Sequence, residues 1–167
     1  MSIHHLGIVV NDIDESREFY LAALKPLGYK IFVKLFDGKV LGLGPFTGPV
    51  FWLSARNVPS PDEVKELRTP TGPIHLAFGV SNRKKVREFY DAAIAAGGKC
   101  NGPPGPRPEY FITNYSAFVL DPEGRNIEAI CLRPAFWAEP WGVLGWSAVS
   151  LVGGVGGGLI GKYMGWL

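Results

Sequence analysis

Arg17-Glu18-Phe19-Tyr20 reappears unchanged as Arg87-Glu88-Phe89-Tyr90. The same shift of 70 positions, from 17 to 87, carries His5-Leu6 onto His75-Leu76 and Val10 onto Val80. It also carries Ala22-Ala23 onto Ala92-Ala93 and Gly28 onto Gly98, with no gap. Self-similarity at a fixed period marks a duplicated structural unit. One histidine therefore stands at the same point of each copy, and twinned histidines on twinned strands can face one shared cleft.

In the first copy, residues 3–10 alternate as a strand, with His5, Gly7 and Val9 on one face and Leu6, Ile8 and Val10 on the other. Asp12 and Glu15 open a helix in the manner of a capping box. Ser16, Phe19, Tyr20, Ala23 and Leu24 then recur at helical spacing as one buried stripe, and Pro26 and Gly28 end it. Three strands follow, around 29–35, 39–43 and 50–55. The second copy repeats the order. Its strand 74–80 puts His75, Ala77 and Gly79 on one face, and Ser81 or Asn82 caps a helix with Val86, Phe89, Tyr90, Ala93 and Ile94 as its stripe. Later strands are predicted at 98–101, 115–120 and 125–132, the last two joined by Asp121-Pro122-Glu123-Gly124. The proline-rich stretch 101–108 is predicted to be a loop. Ser60-Pro61-Asp62-Glu63 opens a linker helix between the copies.

The expected fold is therefore α+β: two βαβββ modules paired into one cup-shaped mixed sheet. Module one is 1–58, the linker 59–72 and module two 73–133, with 134–167 as an extension. The 167 residues suit one domain, and an apolar share of 47% supplies a core. A net charge of +2 without a Lys/Arg run argues against a nucleic-acid partner. Cys100 and Cys131 define no disulfide framework, and no secretory pattern opens the sequence, so a cytoplasmic location is expected.

Glu128 is the polar intruder in Asn126-Ile127-Glu128-Ala129-Ile130. Ile127, Ala129 and Cys131 alternate onto the core face, which turns Glu128 towards the cleft. A buried carboxylate is rare unless paired or bound to a metal. A single histidine on a strand is ordinarily structural; two at equivalent points of a repeat ask for a shared task. His5, His75 and Glu128 together form a facial ligand set that leaves open positions for substrate. His4 lies off the repeat register and is taken as structural or surface.

These motifs resemble the vicinal oxygen chelate superfamily, which contains glyoxalase I, bleomycin resistance proteins and extradiol dioxygenases. They are His5-Leu6-Gly7 with Asp12 and Phe19-Tyr20, His75-Leu76-Ala77 with Phe89-Tyr90, and the run from Asp121 to Glu128. The resemblance covers Ser2 to about Arg133. It implies a divalent ion (iron, manganese, zinc or nickel) on His5, His75 and Glu128, and a small oxygenated substrate chelated to it. Lyase, isomerase and ring-cleaving dioxygenase chemistry all fall within that implication. A fourth ligand found in glyoxalase I would stand near Trp52, where no Glu or Gln occurs. Arg107, Tyr110 and Tyr115, around the strand facing Glu128, are candidates to hydrogen-bond a metal-bound oxyanion. The alternative function is a binding protein that sequesters a small molecule, as bleomycin resistance proteins do. A homodimer is a further expectation.

Residues 141–161 carry no charge, and about 20 apolar residues can span a bilayer. Eight of the twenty residues 142–161 are glycine, which weakens a helix there. Membrane attachment is therefore the lesser expectation, beside a glycine-rich extension or a tail that covers a subunit.

Overall fold

The computed structural model describes residues 3–58 and 69–139. The expected linker helix and the 141–161 tail lie outside the described residues. Module one runs β1 (Leu6–Val10), α1 (Ile13–Leu24), β2 (Lys30–Leu35), β3 (Val40–Gly44) and β4 (Phe51–Ala55). Module two runs β5 (His75–Gly79), α2 (Arg83–Ala95), β6 (Lys99–Pro106), β7 (Tyr115–Leu120) and β8 (Asn126–Cys131), followed by the short helix α3 (Ala135–Ala138).

Each helix begins where its cap dictates. The Asp12 carboxylate accepts from the backbone N–H groups of Asp14 and Glu15 at 2.9 and 3.0 Å. The Asn82 side chain accepts from Lys85 N–H at 3.0 Å. A turn of 3-10 helix at Lys25–Leu27 closes α1, and Gly28 takes φ +87°, a conformation glycine adopts without a Cβ penalty. The α2 stripe is buried at Val86, Phe89 and Ala93, whereas Ile94 lies at its exposed edge.

The eight strands make two mixed sheets of four, ordered β1-β4-β3-β2 and β5-β8-β7-β6. The two modules are as expected, but the strands are divided between two sheets and do not form one. The repeat is visible in the register. Gly7 pairs with Trp52 across β1 and β4, and Ala77, the residue equivalent to Gly7, pairs with Glu128 across β5 and β8. Trp52 thus holds in module one the place that Glu128 holds in module two. The proline-rich stretch is largely strand: β6 reaches Pro106. It can do so because β6 is an edge, where a residue without an N–H is tolerated, and its pairing with β7 slips twice, at Cys100/Gly102 and Gly102/Gly105.

What unites the modules is a common core. Ile8 and Val10 of β1, Phe19 and Tyr20 of α1, Val86 and Phe89 of α2 and Ile127 and Ala129 of β8 belong to one buried cluster. Phe51 of module one meets Phe78 of module two edge to face, with ring centroids 5.7 Å apart. Such edge-to-face pairs add to the burial term.

Beside that core sits a polar clasp. Arg125, 1% exposed, donates to Asp121 Oδ2 at 2.9 Å, to Glu123 Oε2 at 2.8 Å, to the Thr71 carbonyl at 2.9 Å and to the Val9 carbonyl at 3.1 Å. The Tyr20 hydroxyl donates to Asp121 Oδ2 at 2.8 Å, and Asn11 donates to both Glu123 oxygens from its backbone and side chain. Burial, reinforced by the Asp121 charge, pushes the Tyr20 hydroxyl far above its ordinary range, so it stays a donor. The residues expected to form a simple turn, Asp121 to Gly124, therefore also tie module two to β1 and α1.

Just beyond Arg133, Ala138 enters the core and Glu139 pairs with Arg87 at 2.8 Å. The packed unit thus extends past the expected boundary, through Glu139. Among the described residues no helix is long and apolar enough to cross a membrane.

Candidate metal and substrate site

The face of each sheet turned away from the common core carries the small residues and the histidines. In module two, His75, Ala77 and Gly79 of β5 lie open, while Leu76 and Phe78 pack inward. Ala77 leaves room above the sheet beside Glu128. The Glu128 side chain is 7% exposed and that of His75 50%, so the carboxylate lies at the floor and the imidazole at the mouth. His75 Nε2 and Glu128 Oε2 are 3.0 Å apart.

Asn126 completes this line. Its Nδ2 donates to His75 Nδ1 at 2.8 Å, and its Oδ1 accepts from Asn101 Nδ2 at 3.1 Å. Because Nδ1 accepts, the His75 proton sits on Nε2 and points at Glu128. Asn126 was not singled out in the sequence, although its parity with Glu128, two residues on, places both on one face.

A cleft of about 430 Å³ opens over these groups, with Tyr110, Asn114, Phe118 and Ile130 completing its wall. Its volume is in the range of small-molecule sites. Asn114 is 4% exposed, and its Oδ1 has no hydrogen-bond partner among the described residues. A buried acceptor left unsatisfied costs about 1–3 kcal/mol, which a ligand hydroxyl or amine would recover. Beside the cleft, sharing Tyr110, Phe118 and Asn126 with it, is a smaller hollow of about 220 Å³ lined by Arg107 and Glu109.

The sequence candidates are thus distributed unevenly. His75, Glu128, Tyr110 and Arg107 are brought to one face. Tyr115 is not, which corrects its expected role. It shares strand parity with the core residues Ala117 and Val119, lies under the Arg83 guanidinium at 4.8 Å, and accepts from Arg87 at 3.4 Å.

His5 is the other departure. It lies exposed on the open face of module one, its Nδ1 2.9 Å from His4 Nδ1 and its ring 6.3 Å from that of Trp52. Within one chain it does not join the other two donors: among the described residues no three of His, Cys, Asp and Glu gather to hold an ion. Trp52 lies across Gly42, where an added Cβ would come within 3.0 Å of the indole. Its buried Nε1 has no partner among the described residues. Module one therefore offers His5 and no carboxylate.

The pair in module two fits a divalent ion by its chemistry and spacing. One imidazole and one carboxylate are borderline-hard donors common to zinc, iron, manganese and nickel. Two donors at right angles on an ion at about 2.1 Å lie about 3 Å apart, and His75 and Glu128 have that separation. The fit requires the Nε2 proton to leave and the third donor to arrive from outside this face.

A family model described as the Glyoxalase/Bleomycin resistance protein/Dioxygenase superfamily matches residues 2–129. A glyoxalase/bleomycin resistance protein from Albidiferax ferrireducens T118 is 28% identical with a TM-score of 0.55, over 78% of this chain and 97% of that one. A glyoxalase/bleomycin resistance protein/dioxygenase family enzyme from Burkholderia phytofirmans PsJN is 20% identical with a TM-score of 0.60, over 80% and 100%. A lactoylglutathione lyase from Agrobacterium tumefaciens is 15% identical with a TM-score of 0.56, over 83% and 97%. The last two likenesses bear on the fold alone. A search of the curated proteins finds no match.

Proposed function

Since the chain belongs to the glyoxalase/bleomycin resistance protein/dioxygenase superfamily, we propose that it is a metal-dependent enzyme acting on a small oxygenated substrate in the module-two cleft. The observation that carries this reading is the His75–Glu128 pair, 3.0 Å apart under a cleft of suitable size. A divalent ion held there would supply Lewis acidity, polarising substrate oxygens and stabilising negative charge on them. The chain's own groups do the rest. Asn114 Oδ1 accepts from a substrate hydroxyl, Tyr110 donates at the mouth, and Phe118 gives a flat apolar wall.

The third donor in this proposal is His5 of a second copy. The modules of one chain share a core and the Arg125 clasp, so bringing their open faces together would break both. A second molecule can present its module-one face with no such cost. Exposed apolar side chains close to these residues in the chain support this: Phe111 and Ile112 follow Tyr110 of the cleft, and Ile3 stands two residues before His5. Exposed apolar side chains grouped at a functional face are characteristic of interaction surfaces.

Metal analysis of protein purified without chelator tests the reading, with one ion per chain expected. The sequestration alternative has one feature in its favour, since His75 and Glu128 satisfy each other without a third donor. It predicts ligand binding that is indifferent to chelators.

Asn126 should govern metal uptake. For His75 Nε2 to bind an ion its proton must shift to Nδ1, and Asn126 must turn its amide so that Oδ1 accepts it. Asn126→Leu is expected to weaken metal binding about 10–100-fold, as losses of an orienting partner do. Asn126→Asp should strengthen it, because a carboxylate accepts from Nδ1–H without rearrangement. Calorimetric metal titrations check both, and the imidazole ¹⁵N shifts of the metal-free variants report the tautomer.

A further inference from the structure

We propose that the hollow beside the cleft is a receptor for a carboxylate on the substrate, with Arg107 as the group that binds it. The proposal deepens the functional reading above and rests on the module-two cleft being the substrate site. Arg107 is held in place before any ligand arrives. Its Nη1 donates to the Pro106 carbonyl at 3.1 Å and its Nη2 to the Pro103 carbonyl at 2.8 Å. The guanidinium lies over the Phe118 ring, 5.9 Å from the centroid. Two glycines make its seat. A Cβ on Gly105 would stand 2.9 Å from Nη1, and one on Gly102 would stand 3.5 Å from Nη2 and 2.9 Å from Phe118.

The placement leaves capacity unused. A guanidinium has five N–H donors, and the two internal bonds here both go to neutral carbonyls. Among the described residues, none of the ion pairs involves Arg107. A charged, planar fork already fixed by its neighbours loses little freedom on binding and matches the two oxygens of a carboxylate. Glu109 lines the same hollow. Its negative charge tells against a doubly charged phosphate and leaves a single carboxylate as the better match. The hollow and the cleft share Tyr110, Phe118 and Asn126, so one ligand reaches both.

Three probes test this on the full chain: 3,4-dihydroxyphenylacetate, catechol and phenylacetate. Metal-loaded wild type should bind 3,4-dihydroxyphenylacetate at least about tenfold tighter than catechol, the increment of a charge-assisted forked contact. Arg107→Gln should bring the two to equal affinity, and Arg107→Lys should restore only part of the preference. Equal affinities in the wild type, or an undiminished preference in Arg107→Gln, would overturn the proposal. Phenylacetate separates it from the metal reading. Chelator-treated wild type should bind this probe in the millimolar range and Arg107→Gln should not; absence of that binding also overturns the carboxylate receptor. Catechol binding that ignores chelator would sink the metal reading and leave the receptor standing.

Discussion

Arg125→Met is expected to destabilise the chain by about 3–5 kcal/mol, the cost of leaving a buried ionic partner uncompensated. Arg125 and Asp121 side chains are each 1% exposed, and the guanidinium also satisfies Glu123 and two backbone carbonyls, those of Val9 and Thr71. Methionine fills much of the volume but returns none of these bonds. Asp121 would keep the Tyr20 hydroxyl and two backbone N–H groups, too little to hold its charge out of water. Tyr20→Phe removes one neutral donor from the same carboxylate and should cost only about 1–2 kcal/mol. Urea unfolding of the two variants measures the contrast. An Arg125→Met chain as stable as wild type would mean that the clasp does not join the modules.

The second large effect is functional. His75→Ala and Glu128→Ala should each abolish metal binding and any activity that depends on it, while melting close to wild type in the absence of metal. Both side chains belong to the open face, so truncating them opens no cavity in the common core. Phe89→Ala is the opposite case. Phe89 is fully buried at the centre of the α2 stripe, and its loss should cost about 3–5 kcal/mol. Thermal melts with parallel metal titrations separate the two classes. If the cleft variants melted below Phe89→Ala without metal, the open and buried faces would have been assigned the wrong way round.

How far the sequence could carry this is clear from particular residues. The 70-residue repeat reported the two modules, because a duplicated unit keeps its helix stripe and its strand parity. Parity alone turned His75 and Glu128 to one face and would have turned Asn126 there too. Tyr115 lies near Glu128 in the sheet, but its parity puts it with Ala117 and Val119 on the helix side. The reach of β6 through three prolines was hidden because edge position, which tolerates them, is set by sheet order. Arg125 and Asp121 looked like a turn because their partners, Val9, Tyr20 and Thr71, lie far away in the chain. His5 shows the same limit at the site itself. Its equivalence to His75 is a property of the repeat, whereas which molecule's His5 meets which His75 is a property of how faces come together.

Mixing His5→Ala with His75→Ala protein after subunit exchange therefore tests the central claim most directly. Each variant alone should bind no metal at the cleft. In a mixed dimer one site combines His5 of the His75→Ala chain with His75 and Glu128 of the His5→Ala chain. Random pairing should restore about a quarter of the wild-type sites, as half of the dimers are mixed and each regains one site of two. Metal binding by His5→Ala alone, or none in the mixture, would contradict a site built across two copies.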